Sequence, residues 1–371
     1  MLWRNEALMK RYTAYDPPEY VNWRPDPALL AEFVETCRHD PVRCGILDRL
    51  TREGRLDLYA GLLRTRLQDT ALKRWVRQGV LSKAWLGTGE EATTVGPVHA
   101  LNRSVDLVAP MIRNAGACCE MGMPVADTLR SYLGTLDAPS KGRDTHAGDF
   151  SLRVLQPISN IGNMPAVTAG IALGFKLRGE PGVALTWVGD GSVKHGGTHE
   201  AIGFAAAQRL PVIFIIQNNQ IALGTEVRIH HPAGQFGVLR QAYGVDGWSF
   251  DGNNVLDAYA ATRIAADRCR DGAGPVLLDA ETFRMGGHAT HDEGEARSMI
   301  ASEVFERWGA RDPIGLYEEY LKNAGVGAEE LELIEDRIVA EVDHAAEVAL
   351  QSKQDNMPSG ATALQDVYAN P

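Results

Sequence analysis

Val183-Ala184-Leu185-Thr186-Trp187-Val188 runs into Gly189-Asp190-Gly191, and Val212-Ile213-Phe214-Ile215-Ile216 runs toward Asn218-Asn219, with residues 192–217 between the two tips. Both apolar runs are too short for helices and rich in β-branched residues, the pattern of strands buried on both faces of a parallel sheet. Thr198 to Arg209 has helical composition, so the unit reads as βαβ, with the helix starting near Thr198 after Gly196-Gly197. A right-handed crossover brings the carboxyl ends of both strands to one edge of the sheet. Open α/β sheets take their ligands at that edge.

Further out, Val276-Leu277-Leu278-Asp279-Ala280 reads as a third buried strand, followed by a His-rich loop over 284–300. Helical patterns cover Leu56 to Gly79, a segment opening at Gly89-Glu90-Glu91, Ala166 to Leu177, and 314–352. Residues 1–45 are rich in Pro, Trp and Tyr; Asp16-Pro17-Pro18 and Arg24-Pro25-Asp26-Pro27 predict an extended arm whose aromatics pack on the main body or on a partner. The expected fold is α/β: a three-layer parallel sheet with helices on both faces (46–313), preceded by the arm (1–45) and followed by a helical extension with a polar tail (314–371).

The chemistry at the sheet edge follows from its residue types. Asp190 offers a carboxylate and Asn219 an amide oxygen, hard donors suited to Mg²⁺ that also holds phosphate. Gly189 and Gly191 let the backbone approach an anion, and the following helix start adds a positive dipole. Gly-Asp-Gly alone is a common turn and Asn-Asn alone a loop; their joint position after two adjacent strands predicts a diphosphate bridged to protein through Mg²⁺.

Composition narrows the function classes. With 371 residues, 44% hydrophobic, the chain makes one large domain with extensions or at most two domains. A net charge of −11 argues against nucleic acid and anionic membrane surfaces as partners. The sequence has no run of 18 apolar residues, and Met1-Leu2-Trp3-Arg4-Asn5-Glu6 lacks an apolar signal core, so a cytoplasmic location is expected. Five cysteines without CxxC spacing indicate reduced thiols rather than a disulfide framework or a zinc site. His195 and His199, four apart, lack HExxH order and a third ligand, and receive a structural role.

Gly189-Asp190-Gly191-Ser192 through Asn218-Asn219-Gln220-Ile221-Ala222 resembles the thiamin-diphosphate motif of the alpha subunit of the decarboxylating first component of 2-oxoacid dehydrogenase complexes. Gly89-Glu90-Glu91-Ala92, Arg113-Asn114-Ala115-Gly116, Lys141-Gly142-Arg143, and Arg284-Met285-Gly286-Gly287-His288 resemble that family's other blocks, in the same order, over roughly residues 50 to 350. The resemblance implies the diphosphate-binding half of a thiamin-diphosphate-binding fold. It implies that Asp190, Asn219 and the Ile221 carbonyl hold Mg²⁺, and that Gly189, Gly191, Ser192, Arg113, Arg284 and His288 address the diphosphate. Ser159 and Ile161 fall on the segment that meets the aminopyrimidine, and His288 with His146 would assist acyl transfer. Ile112 departs from the family's usual tyrosine, Gly244 stands where an arginine is common, and Ala289 replaces a serine that some relatives phosphorylate.

In that family the glutamate that activates the cofactor lies on a second domain, for which this chain has no counterpart. The resemblance therefore implies a beta subunit, an α₂β₂ heterotetramer, a small 2-oxoacid substrate, and a lipoyl-bearing acyltransferase as acceptor. Two other readings stand beside it: transfer of the acyl unit to another acceptor, such as a carrier protein, and a non-catalytic subunit that keeps the fold. Trp85, near the Gly89 turn, does not separate pyruvate from branched-chain 2-oxoacids.

Overall fold

The computed structural model describes residues 9–365. The first eight residues of the expected arm, including the segment read for a signal core, and the last six of the polar tail lie outside them. Five strands form one wholly parallel sheet: β1 (Leu107–Ala109), β2 (Ala184–Gly189), β3 (Val212–Asn218), β6 (Asp246–Asp251) and β7 (Val276–Glu281), in the order β1-β2-β3-β7-β6. Between β3 and β6 a short antiparallel pair, β4 (Ile221–Ala222) and β5 (Thr225–Glu226), makes a separate hairpin. β2 and β3 are adjacent, with Gly189 opposite Gln217, and β3 lies beside β7, with Asn218 opposite Glu281. The tips of three strands therefore end at the same edge.

Both faces of the sheet are apolar, which buries β3 completely and β2 nearly so, while β6 at the edge is only partly covered. Leu185, Trp187, Ile213, Ile215 and Leu278 pack on one side with Ala258, Ala261 and Ala265 of the helix Val255–Arg270. Ala184, Val188, Phe214 and Ile216 face the other way, onto Ala169 and Ala172 of Met164–Arg178 and Ala201, Ile202 and Ala205 of Gly196–Gln208. The architecture is the expected three-layer α/β sandwich. The crossover helix begins at Gly196, two residues earlier than its glycines suggest, because the imidazole of His195 caps it by accepting from the Gly197 N–H at 3.1 Å.

A second helical layer carries its own core. The helix Arg52–Arg77, begun at Thr51, whose hydroxyl accepts from Gly54, packs against Ala328–Asp355 and Pro313–Asn323. The prolines of the N-terminal segment start helices rather than impose an extended run. Pro27 and Pro41 occupy the first turns of Pro27–Arg38 and Pro41–Leu47, where a missing N–H costs nothing, and Asp26 and Asp40 cap them. Its aromatics pack on the main body: Tyr20, Trp23 and Phe33 are buried, with the Trp23 indole donating to the Ala310 carbonyl at 3.0 Å.

Among the described residues no helix is long and apolar enough to cross a membrane. All five cysteines are free, and burial first of all pushes the Cys118 and Cys269 thiols up to about 12.

Candidate cofactor site at the carboxyl edge of the sheet

Asp190 is the first residue beyond β2 and is 2% exposed. One carboxylate oxygen accepts from the Gly191 N–H at 2.6 Å; the other, Oδ2, is buried without a hydrogen-bond partner. Burial, with the nearby charge of Glu90, pushes this carboxyl up to about 6, and Arg284 and Arg113 oppose the rise. Gly191 lies so close to the β4 hairpin that a Cβ there would stand 2.6 Å from the Ala222 Cβ. The loop after β2 and the hairpin after β3 are thus pressed together, which puts Asp190 beside the segment Asn219 to Ala222.

Asn219 is oriented by Glu90, a residue the sequence reading left without a role in the site. The wholly buried Glu90 accepts at Oε1 from the side-chain amides of Asn219, at 2.8 Å, and Gln217, at 2.5 Å. Gln217 in turn accepts from Asn114 at 2.8 Å. With its nitrogen committed to Glu90, Asn219 presents its oxygen, which takes only a long 3.5 Å contact from the Ile221 N–H. Glu90 was legible only as part of the Gly89-Glu90-Glu91 helix start; its burial against β3 is a tertiary fact.

Two arginines complete the edge. Arg284, three residues beyond β7 and 1% exposed, donates to the carbonyls of Ile221 at 3.3 Å, Leu223 at 2.8 Å and Gly286 at 3.3 Å. Arg113 donates to the carbonyls of Leu86 and, at 3.1 Å, His288; Glu90 Oε2 lies 3.7 Å from it, beyond hydrogen-bond reach. Both guanidiniums are buried and spend their hydrogen bonds on neutral carbonyls. Burial and then Arg113 lower Arg284 to about 10. Burial, followed by Arg113 and Arg284, lowers His288 to about 4, so its imidazole is neutral near pH 7. An anion placed here would meet two cations that lack a hydrogen-bonded carboxylate.

The edge therefore gathers Gly189, Asp190, Gly191, Asn219, Ile221, Arg113, Arg284 and His288. Ser192 opens the 3-10 turn Ser192–Lys194, and its carbonyl accepts from the Thr198 hydroxyl at 3.3 Å. Ser159 and Ile161 stand further out on an exposed loop, Ile161 being 64% exposed. That loop is anchored next to the Asp190 turn, for the Gly162 carbonyl accepts from Thr198 at 3.0 Å. His146 is buried, its Nδ1 2.5 Å from Asp144, in the wall of a cavity that also includes Met111, Ile112, Tyr132 and Pro157. It thus faces the neighbour of Arg113 rather than Asp190. Gly244 ends the helix Leu239–Tyr243 at φ 62°, a left-handed conformation that suits glycine better than the arginine of the resemblance. Ala289 is buried.

The oxygen donors at this edge are of three kinds, a carboxylate, an amide and a backbone carbonyl. Among the described residues no group of three His, Cys, Asp or Glu side chains could hold a metal. The mixed oxygen set, with one buried carboxylate oxygen left unpartnered, suits a hard divalent cation that takes its remaining ligands from a bound phosphate. His199 has a structural partner, its Nδ1 being hydrogen-bonded to the Tyr243 hydroxyl.

Fold and edge together define a parallel α/β protein whose buried carboxyl edge gathers a carboxylate, an amide oxygen, a backbone carbonyl and two arginines. The sequence matches the family described as "Dehydrogenase E1 component" over residues 61–358. It is 31% identical to the 2-oxoisovalerate dehydrogenase subunit alpha of Bacillus subtilis (strain 168) over 326 residues, 86% of this chain and 97% of that protein. It is 33% identical over 289 residues to the 3-methyl-2-oxobutanoate dehydrogenase subunit alpha of Mycobacterium tuberculosis, covering 77% of this chain and 75% of the relative. The pyruvate dehydrogenase E1 component subunit alpha of Bacillus subtilis (strain 168) is 32% identical over 289 residues, 77% and 76% of the two chains. The chain belongs to the E1 alpha family of 2-oxoacid dehydrogenases.

Proposed function

We propose that this chain is the alpha subunit of a heteromeric 2-oxoacid dehydrogenase's decarboxylating component, acting in the cytoplasm on a small 2-oxoacid and passing the acyl unit to a lipoyl group. The observation that carries this reading is the buried, unpartnered Oδ2 of Asp190 beside Asn219 and Ile221, under two arginines bonded only to carbonyls. That set fits Mg²⁺ and the diphosphate of thiamin diphosphate. Asp190, Asn219 and the Ile221 carbonyl would hold the cation; for Ile221 this means that Arg284 shares or gives up its 3.3 Å contact. Arg113, Arg284 and His288 would meet the phosphates, with the N–H groups around Gly189, Gly191 and Ser192.

Thiamin diphosphate, when bound, supplies an electron sink for the carbanion left by loss of carbon dioxide. The protein's part is to orient and to move protons. A neutral His288 has a ring nitrogen free to accept a proton and afterwards return it. Asp144 fixes the orientation of the His146 ring, which would assist acyl transfer from the far wall. The exposed Ser159 and Ile161 suit a surface that a beta subunit covers, with the aminopyrimidine between the chains. An α₂β₂ assembly and a lipoyl-bearing acyltransferase follow from this reading.

The test is to co-purify this chain with its beta subunit and to assay 2-oxoacid decarboxylation with thiamin diphosphate and Mg²⁺. Turnover is expected from the pair and not from this chain alone. Turnover by the chain alone, or none by the pair with any small 2-oxoacid, contradicts the reading.

A further inference from the structure

The diphosphate-facing Arg113, which also donates to the His288 carbonyl, is held from behind by the Leu86-Gly87 peptide. Its guanidinium donates to the carbonyl of Leu86, and the N–H of that same Leu86-Gly87 peptide donates to a carboxylate oxygen of Asp69 at 2.7 Å. Asp69 lies on the helix Arg52–Arg77 and is 4% exposed. Gly87 packs directly against Arg113: a Cβ there would sit 2.6 Å from the backbone carbonyl of Arg113. Asp69, the peptide and Arg113 thus form a hydrogen-bonded chain running from the helical layer to the sheet edge, in which each bond polarises the next.

We propose that Asp69 is a positioning residue for the cofactor's diphosphate, acting on Arg113 through the Leu86-Gly87 peptide. The inference rests on the assignment of Arg113 to the diphosphate given above. Without an acceptor at position 69, the Gly87 N–H is buried and unsatisfied, the peptide rotates to find another partner, and the carbonyl that aims Arg113 moves with it. Burial, followed by the charge of Glu91, pushes the Asp69 carboxyl up to about 8. At neutral pH its acceptor is therefore mainly the carbonyl oxygen of a neutral acid, and an asparagine reproduces that atom.

The experiment compares Asp69→Leu, Asp69→Asn and Arg113→Ala in the assembly co-purified with the beta subunit. Thiamin diphosphate and thiamin are each titrated calorimetrically with Mg²⁺, and thermal melting reports on folding. Asp69→Leu should weaken thiamin diphosphate about tenfold, the scale of one buried hydrogen bond, while changing thiamin binding less than about twofold. In the Arg113→Ala background the same substitution should add nothing. Asp69→Asn should bind both within about twofold of wild type. Equal losses for both ligands, or a full tenfold loss that persists without Arg113, would overturn the role of Asp69 and leave the cofactor reading intact. If Arg113→Ala itself leaves the preference for thiamin diphosphate over thiamin unchanged, the assignment of Arg113 falls and this inference with it. Should Asp69→Leu not fold, Asp69→Asn decides: wild-type binding supports the proposal, and a tenfold loss of thiamin diphosphate with normal melting rejects it.

Discussion

The carboxylate of Glu90 accepts from the side-chain amide of Asn219 at 2.8 Å, and this bond fixes which end of Asn219 faces the carboxyl edge of the sheet. The same Glu90 oxygen accepts from Gln217, so one buried group orders two residues of the β3 tip. Glu90→Ala leaves both amide donors unsatisfied in the interior and should destabilise the fold by about 2–3 kcal/mol. Glu90→Gln, whose oxygen can still accept from both, should retain most of that stability. Denaturant unfolding of the two variants checks this; an alanine variant as stable as wild type would show that Glu90 does not order the tip.

Asp190 is expected to serve binding at the expense of stability. Its Oδ2 is buried with no donor, so Asp190→Asn removes an uncompensated charge while keeping the oxygen that accepts from Gly191. The cofactor-free variant should melt no lower than wild type at neutral pH. Its magnesium-dependent affinity for thiamin diphosphate should fall by at least the roughly 10–100-fold typical of a disturbed metal contact. Calorimetry reads the affinity, and wild-type binding by Asp190→Asn or Asp190→Ala would remove the metal assignment.

His288 gives the free protein a pH signature. Its folded-state value of about 4 lies below the usual ~6.5 of an unfolded histidine, so the fold favours the neutral ring. The associated stability is fully present above pH ~6.5 and is lost as pH falls through about 4. The melting temperature of His288→Asn, relative to wild type, should therefore rise as the pH is lowered across that window. Parallel melting curves for the two proteins would contradict the burial of His288 beside Arg113 and Arg284.

Arg66 anchors the Glu90 turn to the helical layer. It is 1% exposed, pairs with Glu91 and, at 3.0 Å, with Asp312, and stacks on the Tyr20 ring at 4.5 Å. Arg66→Met would leave the buried Glu91 without its cation and Asp312 with Arg11 alone, and should cost about 3–5 kcal/mol, read by denaturant unfolding. A loss below about 1 kcal/mol would mean that the pair contributes little to holding the turn.

The two strands that set the site were legible because each is an unbroken apolar run ending in polar, Gly-rich residues, and their adjacency followed from the handedness of the crossover. β1 and β6 were not. The first has only three residues, and the second, Asp246-Gly247-Trp248-Ser249-Phe250-Asp251, sits at the sheet edge with mixed exposure and no continuous apolar run. Asp190, Asn219 and Arg284 could be placed from sequence because each lies within three residues of a strand end, and His288 because it lies on the loop that follows β7. Glu90 and Asp69 could not, since what marks them is burial against distant elements: Gln217 for one, the Leu86-Gly87 peptide for the other. The N-terminal prolines were misread as enforcing extension because the capping aspartates before them reverse their meaning.

On the proposed function, a divalent cation would sit among Asp190, Asn219 and the Ile221 carbonyl and join them to a diphosphate. Crystals of the assembly grown with thiamin diphosphate and Mn²⁺ in place of Mg²⁺ test it through anomalous diffraction. One anomalous peak is expected within bonding distance of Asp190 Oδ2, Asn219 Oδ1 and the Ile221 carbonyl, with diphosphate oxygens completing the shell. Ordered diphosphate density with no peak there, or a peak held by other side chains, would contradict it.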